Sequence, residues 1–140
     1  MSFALDPRLA ADTLAVTQLP LCEVRLMNDV RYAWLVLVPR QARLTELADL
    51  ADDKRARLWR EVDQAAAALR AVAPCDKLNV GTLGNIVRQL HVHVVARCEG
   101  DHAWPGPVWG HGAAVPYPQD AASARAAALR QHLTHEKARA

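Results

Sequence analysis

Two hydrophobic patterns alternate along the chain and predict different elements. Short apolar runs at residues 21–27 and 34–38, separated by a polar turn, predict the strands of an antiparallel hairpin. At residues 53–72 the pattern changes, because apolar side chains recur at spacings of three and four, as on a helix that packs against a sheet. Pro74 marks the end of this helix.

The second half of the chain completes the fold class. Two more strands are expected at residues 77–80 and 88–98, and an alanine-rich helix at residues 119–138. The order strand, strand, helix, strand, strand predicts an α+β fold in which a helix covers one face of an antiparallel sheet. At 140 residues, 51% of them hydrophobic, the chain has the size of one domain with a substantial core.

The last predicted strand carries a pair of histidines. Successive side chains of a strand point to opposite faces, so Gln89, His91 and His93 share one face and the apolar residues between them share the other. Imidazole titrates near neutrality, so the pair is suited to attack a substrate, move a proton or bind a metal. The preceding loop at residues 79–85 contains glycines, amides and a hydroxyl that suit an anion. Together they indicate phosphate chemistry.

Two other interpretations of these histidines stay open at this point. A single histidine on a strand face is most often a partly buried residue with satisfied hydrogen bonds. A zinc site needs four protein ligands when structural and generally three when catalytic, but Cys98 faces away from the pair by strict alternation. His102 and His111 lie in a segment rich in proline and glycine, where solvated histidines are the more common case. We therefore expect neither a metal nor another cofactor.

Residues 89–95 resemble the motif of the histidine triad (HIT) family, in which three histidines alternate with apolar residues. The resemblance extends to the family's first hairpin, at residues 26–29 and 34–40, and to its phosphate loop, at residues 78–81 and 84–85. A tail seen in bacterial members is resembled by residues 104–110. The resemblance implies a HIT-like fold in a single domain over residues 1–140. The motifs then occupy about residues 20–100, followed by a C-terminal extension at about residues 101–140.

The resemblance implies a role for each residue of the motif. His91 matches the middle histidine, which attacks the α-phosphorus of a nucleotide and forms a covalent nucleotidyl-histidine that water resolves. His93 matches the third histidine, which donates to the phosphate and stabilises the charge of the transition state. Gln89 replaces the first histidine, so an amide that cannot titrate must supply the hydrogen bond behind the nucleophile.

Binding residues follow from the same resemblance. Asn79, Gly84 and Asn85 stand where the family surrounds the phosphate with amides and main-chain N–H groups, although turn formation explains the two asparagines equally well. Asn28 or Asp29 in the first hairpin is expected to accept from the ribose hydroxyls, with simple turn formation as the alternative for either. Asp29 is favoured, because hydrogen bonds to a carboxylate are charge-assisted.

Two further departures from the family concern the surroundings of the nucleophile. Trp34 stands where relatives commonly carry a histidine, and Ile86 stands where many carry Ser or Thr that assists the leaving group. The resemblance implies a hydrolase or nucleotidyl transferase that acts on a purine nucleotide conjugate, which is a dinucleoside polyphosphate, a phosphoramidate or an adenylate. A nucleotide-binding regulatory protein with little turnover is the alternative.

Charge and cysteine usage restrict the partners and the location. The net charge of +2 is small and no Lys/Arg run is present, so neither nucleic acid nor a membrane is an expected partner. The three cysteines have no CxxC spacing, which argues against a disulfide scaffold and fits a reducing cytoplasm. Because HIT relatives commonly pair, the resemblance also implies a homodimer with two-fold symmetry.

Overall fold

Five strands form one antiparallel sheet in the computed structural model, which describes residues 2–139 and the side chains up to residue 134. The strands, in chain order, are β1 (Thr13–Gln18), β2 (Cys22–Met27), β3 (Ala33–Pro39), β4 (Lys77–Gly81) and β5 (Val92–Arg97). Their spatial order is β1-β2-β3-β5-β4, and every neighbouring pair is antiparallel. The helices are α1 (Pro7–Asp12), α2 (Asp52–Val72) and α3 (Gln119–Arg139). The predicted α+β class is confirmed.

The two faces of the sheet have different covers. Helices α2 and α3 pack on one face, over a core of aliphatic side chains that includes the fully buried Leu58 and Leu129. The opposite face is covered by the N-terminal segment with α1 and by the chain after β5, which bury a second cluster around Trp34 and Val95. The predicted site residues His91 and His93 belong to this second face.

The sequence pattern does not predict α1 or β1. Helix α1 is six residues long and buries Leu9 alone, so it has no periodic apolar stripe. Its start is nevertheless encoded, since the Asp6 carboxylate accepts from the N–H of Arg8 at 2.8 Å and Pro7 occupies the first turn. In β1 a register shift at Val16 interrupts the alternation of buried and exposed residues.

Strand β5 begins at Val92 rather than at residue 88. The reason is that the N–H of Leu90 donates to the carbonyl of Leu44 at 2.9 Å, outside the ladder of the sheet. His91 therefore lies in the connection that enters β5, whereas His93 pairs with Val36 of β3. The two imidazole rings still meet, with their centroids 4.9 Å apart.

Candidate active site

A cavity of about 530 Å³ opens on the face of the sheet that α1 covers, and both histidines line it. Its lining comes from α1, the sheet, the loop between β4 and β5, and the segment after β5. Arg8, Asp12 and Asn85 contribute polar side chains, and most of the remaining lining is apolar. The cavity thus combines two imidazoles with a mostly apolar wall, as small-molecule sites generally do.

His91 is held in one tautomer by the main chain. Its Nδ1 atom lies 2.7 Å from the carbonyl oxygen of Gln89. A carbonyl oxygen only accepts, so Nδ1 carries the proton and Nε2 of the neutral ring carries a lone pair. The side chain is 6% exposed and lines the cavity. His91 therefore has the electronic arrangement of a nucleophilic imidazole.

His93 is held in the opposite tautomer by Trp34. The indole Nε1–H donates to Nδ1 of His93 at 3.0 Å, and since an indole N–H only donates, Nδ1 must keep its lone pair. The neutral ring then carries its proton on Nε2. Burial, and after it repulsion from the neighbouring His91 imidazole when that ring is protonated, lowers the pKa of His93 to about 3. His93 is consequently a neutral hydrogen-bond donor at physiological pH.

Trp109, from the segment after β5, completes an aromatic enclosure around His93. Its ring centroid lies 5.4 Å from that of His93 and 6.4 Å from that of Trp34. The six-membered ring of Trp109 also lies over Gly81, where an added Cβ would be 3.3 Å from Cη2. The absence of a side chain at Gly81 therefore leaves room for the indole that packs against His93.

A family comparison decides the classification of this chain. The HIT domain family matches residues 8–100, which include α1 apart from Pro7, all five strands and both histidines. The chain belongs to the HIT domain family. No curated protein matches the chain.

Solved structures of histidine triad proteins are similar to this HIT protein over nearly its whole length. The protein from Sinorhizobium meliloti is 48% identical with a TM-score of 0.91, and the match covers 93% of this chain and 96% of that one. The protein from Bradyrhizobium japonicum is 40% identical with a TM-score of 0.92, over 95% of this chain and 99% of that one. The protein from Marinobacter aquaeolei is also 40% identical, with a TM-score of 0.93 over 96% and 98% of the two chains.

Gln89 of this HIT protein contacts His91 through its main chain and the N-terminal segment through its side chain. The amide donates from Nε2 to the carbonyl of Ala4 and accepts at Oε1 from the N–H of Asp6, both at 2.8 Å. The expectation that the side-chain amide stands behind His91 is therefore wrong, because the N-terminal segment engages both ends of that amide. The Gln89 carbonyl occupies the position behind the His91 ring instead.

The expected phosphate loop is brought to the cavity only in part. Gly84 and Asn85 line the cavity, and Gly84 has a φ of 72°, in the left-handed region that glycine adopts without strain. Asn79 is not part of the lining. Its Oδ1 accepts from Nη1 of Arg97 at 2.8 Å, while Asp101 binds the other side of the same guanidinium. Asn79 thus belongs to a structural network, and its predicted phosphate contact is not supported.

The two residues predicted for the ribose also lie elsewhere. Asn28 accepts at Oδ1 from the N–H of Tyr117 at 2.9 Å and lines a separate cavity beside α3. Asp29 is 1% exposed and forms two hydrogen bonds with the Arg31 guanidinium, at 3.0 and 2.9 Å. Burial raises the pKa of this carboxyl, but the hydrogen bonds from Arg31 outweigh it and hold the pKa below its usual range. Neither residue faces the histidines, so both expectations are corrected.

Helix α1 supplies the charged residues of the cavity that the sequence pattern does not identify. Arg8 and Asp12 both line the cavity and form an ion pair with 3.8 Å between Nε and Oδ2. Both side chains remain more than half exposed, so this pair is weak and is free to rearrange around a ligand. The local signal for α1 is Asp6 followed by Pro7, a helix start placed directly before Arg8.

Ile86 also lies at the cavity. Its side chain lines the cavity and is 73% exposed, so a large apolar group projects where relatives were expected to present a hydroxyl. Among residues 2–134, whose side chains the structure describes, no group of three or more His, Cys, Asp or Glu side chains is arranged to hold a metal ion. Over the same described residues, no helix has the length and hydropathy of a membrane span.

Proposed function

We propose that this HIT protein is a hydrolase or nucleotidyl transferase that acts at the α-phosphate of a purine nucleotide conjugate. The observation that carries the proposal is the 2.7 Å contact of His91 Nδ1 with the Gln89 carbonyl, which leaves a lone pair on Nε2 in a cavity shared with His93. Membership of the HIT family supports nucleotide binding or nucleotide transfer as the class of function.

The proposed reaction has two steps at His91. In the first, Nε2 attacks the α-phosphorus, a P–N bond forms, and the bond from phosphorus to the leaving group breaks with its electron pair on the leaving group. In the second, water attacks the same phosphorus, the P–N bond breaks, and nucleoside monophosphate is released with a proton lost from the water. Splitting the transfer in this way replaces one difficult displacement by two easier ones.

His93 supplies the electrostatic part of the proposed catalysis. Its Nε2–H donates to a non-bridging oxygen of the α-phosphate, where negative charge accumulates in the transition state. Main-chain N–H groups of the turn at Gly84 and Asn85 add further donors to the same oxygens. Because His93 is neutral, it stabilises this charge as a dipole and needs no proton uptake.

The nucleoside half of the proposed substrate lies toward α1. Among the described residues, Asp12 is the carboxylate that lines the cavity. We therefore propose that Asp12, rather than Asn28 or Asp29, accepts hydrogen bonds from the ribose hydroxyls. Leu9 and Met27 line the same cavity and offer apolar surface for a purine ring. A carboxylate accepts from a cis-diol through charge-assisted hydrogen bonds.

A substrate panel tests this function. The wild-type protein is incubated with a dinucleoside polyphosphate, a nucleoside phosphoramidate and an aminoacyl-type adenylate, and release of nucleoside monophosphate is followed. We expect turnover of at least one of them, and adenosine or guanosine substrates to be preferred over the matching cytidine and uridine compounds. No release from any member of the panel contradicts the proposed activity.

A nucleotide-binding protein with little turnover is the second candidate, and Ile86 is the observation that favours it. No hydroxyl at this position assists departure of the leaving group, so a slow first step would leave bound, unreacted nucleotide. Calorimetric titration separates the two candidates. Tight binding of a purine nucleotide without release of monophosphate supports the binding protein, and binding with turnover supports the enzyme.

A further inference from the structure

We propose that Trp34 is a positioning residue whose indole N–H fixes His93 as a neutral imidazole with its Nε2–H directed to the substrate phosphate. The proposal rests on the function above in one respect, since the acceptor of that N–H is the phosphate of the proposed substrate. The tautomer itself is a property of the free protein and is measured without any substrate.

The sheet places the two side chains in reach of each other. Trp34 pairs with Val95 across β3 and β5, and His93 pairs with Val36, so Trp34 and His93 are diagonal neighbours on the same face. Nε1 and Nδ1 are 3.0 Å apart. The two side chains are 7% and 6% exposed, so water does not compete freely for either atom of this hydrogen bond.

The chemistry of the two rings allows one arrangement of protons. An indole has one N–H and no acceptor, so it satisfies Nδ1 of His93 only while Nδ1 carries a lone pair. The other tautomer, and equally the imidazolium, would point an N–H of His93 at the N–H of Trp34. Two donors facing each other out of water leave both unsatisfied, which is unfavourable for each.

The groups around His93 reinforce the neutral form. His91 approaches from the connection before β5, and any positive charge on it disfavours a second charge on His93. Arg8 and Asp12 line the same cavity from α1, where their mutual ion pair partly offsets their charges. Trp109 packs on His93 from the segment after β5 and brings no ionisable group. Within residues 2–134, Trp34 is the hydrogen-bond partner of the His93 ring.

This arrangement differs in kind from a network of histidines. A histidine at position 34 would be able to donate or accept and would itself titrate near neutrality. Trp34 does neither, so the protonation state of His93 is independent of pH across the neutral range. We expect the kcat profile of the wild-type protein to lack an ionisation that belongs to His93.

Nitrogen NMR of the ring atoms tests the proposal. The side-chain ¹⁵N signals of His93, assigned by their loss in His93→Gln, report which ring nitrogen carries a proton. We expect the wild-type ring to be a single Nε2–H tautomer that does not titrate between about pH 5 and 8. In Trp34→Phe, which keeps an aromatic ring but removes the donor, we expect a mixture of tautomers and a raised pKa. In Trp109→Phe, a matched loss of the other indole, we expect the wild-type tautomer.

Steady-state kinetics distinguish a loss of the Trp34 hydrogen bond from a general loss of order in the site. In Trp34→Phe we expect kcat to fall about tenfold or more, the size of effect seen when a group that orients a histidine is removed, with KM changed less. A new ionisation near neutrality should also enter the kcat profile. A kcat and pH profile equal to those of the wild type would overturn the proposal.

The spectra test the role of Trp34, and the activity of the wild type tests the proposed function, so either proposal can be contradicted without the other. If the wild-type protein turns over no nucleotide conjugate, the proposed function fails, whereas the spectra still decide the role of Trp34. A wild-type His93 that carries its proton on Nδ1, or that titrates near neutrality, overturns the role of Trp34 whatever the activity. That measurement needs no variant at position 34, so it does not depend on the folding of Trp34→Phe.

Discussion

His91 and His93 are held in opposite tautomers, with their ring centroids 4.9 Å apart. The carbonyl of Gln89 requires a proton on Nδ1 of His91, and the indole of Trp34 requires a lone pair on Nδ1 of His93. One ring therefore presents a lone pair at Nε2 and the other presents an N–H. A ring with an available lone pair beside a neutral donor suits the proposed transfer through a covalent histidine.

The neutrality of His93 makes a prediction about stability. Its pKa is about 3 in the folded protein and near the ordinary 6.5 when unfolded, so between these values the unfolded state binds a proton that the folded state does not. The free energy of unfolding therefore falls as the pH is lowered through this window, by up to about 1.4 kcal/mol per pH unit from this residue. Urea denaturation from pH 7 to pH 4 measures the slope.

Two histidine variants isolate that contribution. We expect His93→Gln to flatten the pH dependence relative to the wild type, while His132→Gln, a change at an exposed histidine of α3, leaves it unaltered. Carboxylates that titrate in the same range affect all three proteins alike and cancel in the comparison. Equal slopes for His93→Gln and the wild type would show that His93 does not resist protonation in the folded state.

Variants of Asp12 and Asp29 distinguish an effect on nucleotide binding from an effect on the free energy of unfolding. Asp29→Asn leaves the partly buried Arg31 guanidinium without its counter-charge, so we expect a loss of about 2 kcal/mol in the free energy of unfolding. Asp12→Asn changes an exposed carboxylate at the cavity, so we expect little effect on stability and a KM for the nucleotide raised about tenfold through weaker ribose hydrogen bonds. A raised KM in Asp29→Asn with unchanged stability would restore the ribose role to Asp29.

Gln89→Leu tests the link between the N-terminal segment and the site. The change removes the hydrogen bonds to Ala4 and Asp6 but keeps the main-chain carbonyl behind His91, so kcat should fall little. We expect stability to fall by about 1–2 kcal/mol and KM to rise, because α1 is held less firmly at the cavity. Gln18→Leu, at an exposed position that ends β1, is the control. If kcat falls more than KM rises, the amide acts on the nucleophile directly.

The sequence predicts some of these residues and not others, for a physical reason. The cavity is lined by residues that lie close together in the sequence, since a short loop and the first residues of β5 determine their positions locally: His91, His93, Gly84, Asn85 and Ile86. Long-range partners are not encoded in a local pattern. Gln89, for example, is 83 residues from Asp6, and the hydrogen bond between them appears only once the N-terminal segment crosses the sheet.

For two other residues, the contacts that the structure shows depend on a neighbouring arginine. Asp29 is two residues before Arg31, and this spacing allows a local ion pair with Arg31 in place of a contact with the ribose. Asn79 is 18 residues from Arg97, and the register of β4 with β5 decides that contact. The fold class is predictable because the apolar runs change in period along the chain, whereas α1 is not, because its single buried leucine forms no apolar stripe.

The apolar side chain of Ile86 predicts a steep dependence on the leaving group. Without a hydroxyl to pass a proton, substrates that leave as stable anions should react much faster than nucleotides esterified to a simple alcohol. General-acid assistance is worth roughly 10²–10⁴-fold, so the effect is measurable in a plot of log rate against leaving-group pKa. We expect Ile86→Ser to flatten the slope. A flat wild-type plot, or a Ser variant of unchanged slope, points to another proton donor.

Trapping of the covalent intermediate tests the central claim, that His91 is the nucleophile, most directly. Three proteins are mixed with a reactive nucleotide conjugate and quenched under alkaline conditions: the wild type, His91→Asn and the exposed-site control His132→Asn. Mass spectrometry then measures the intact proteins and their peptides. We expect one added nucleotidyl group on His91 in the wild type and the control. His91→Asn should carry none and lose several powers of ten in turnover, while binding nucleotide within about tenfold of the wild type. Label on another residue, or more than a few per cent of wild-type turnover in His91→Asn, would contradict the claim.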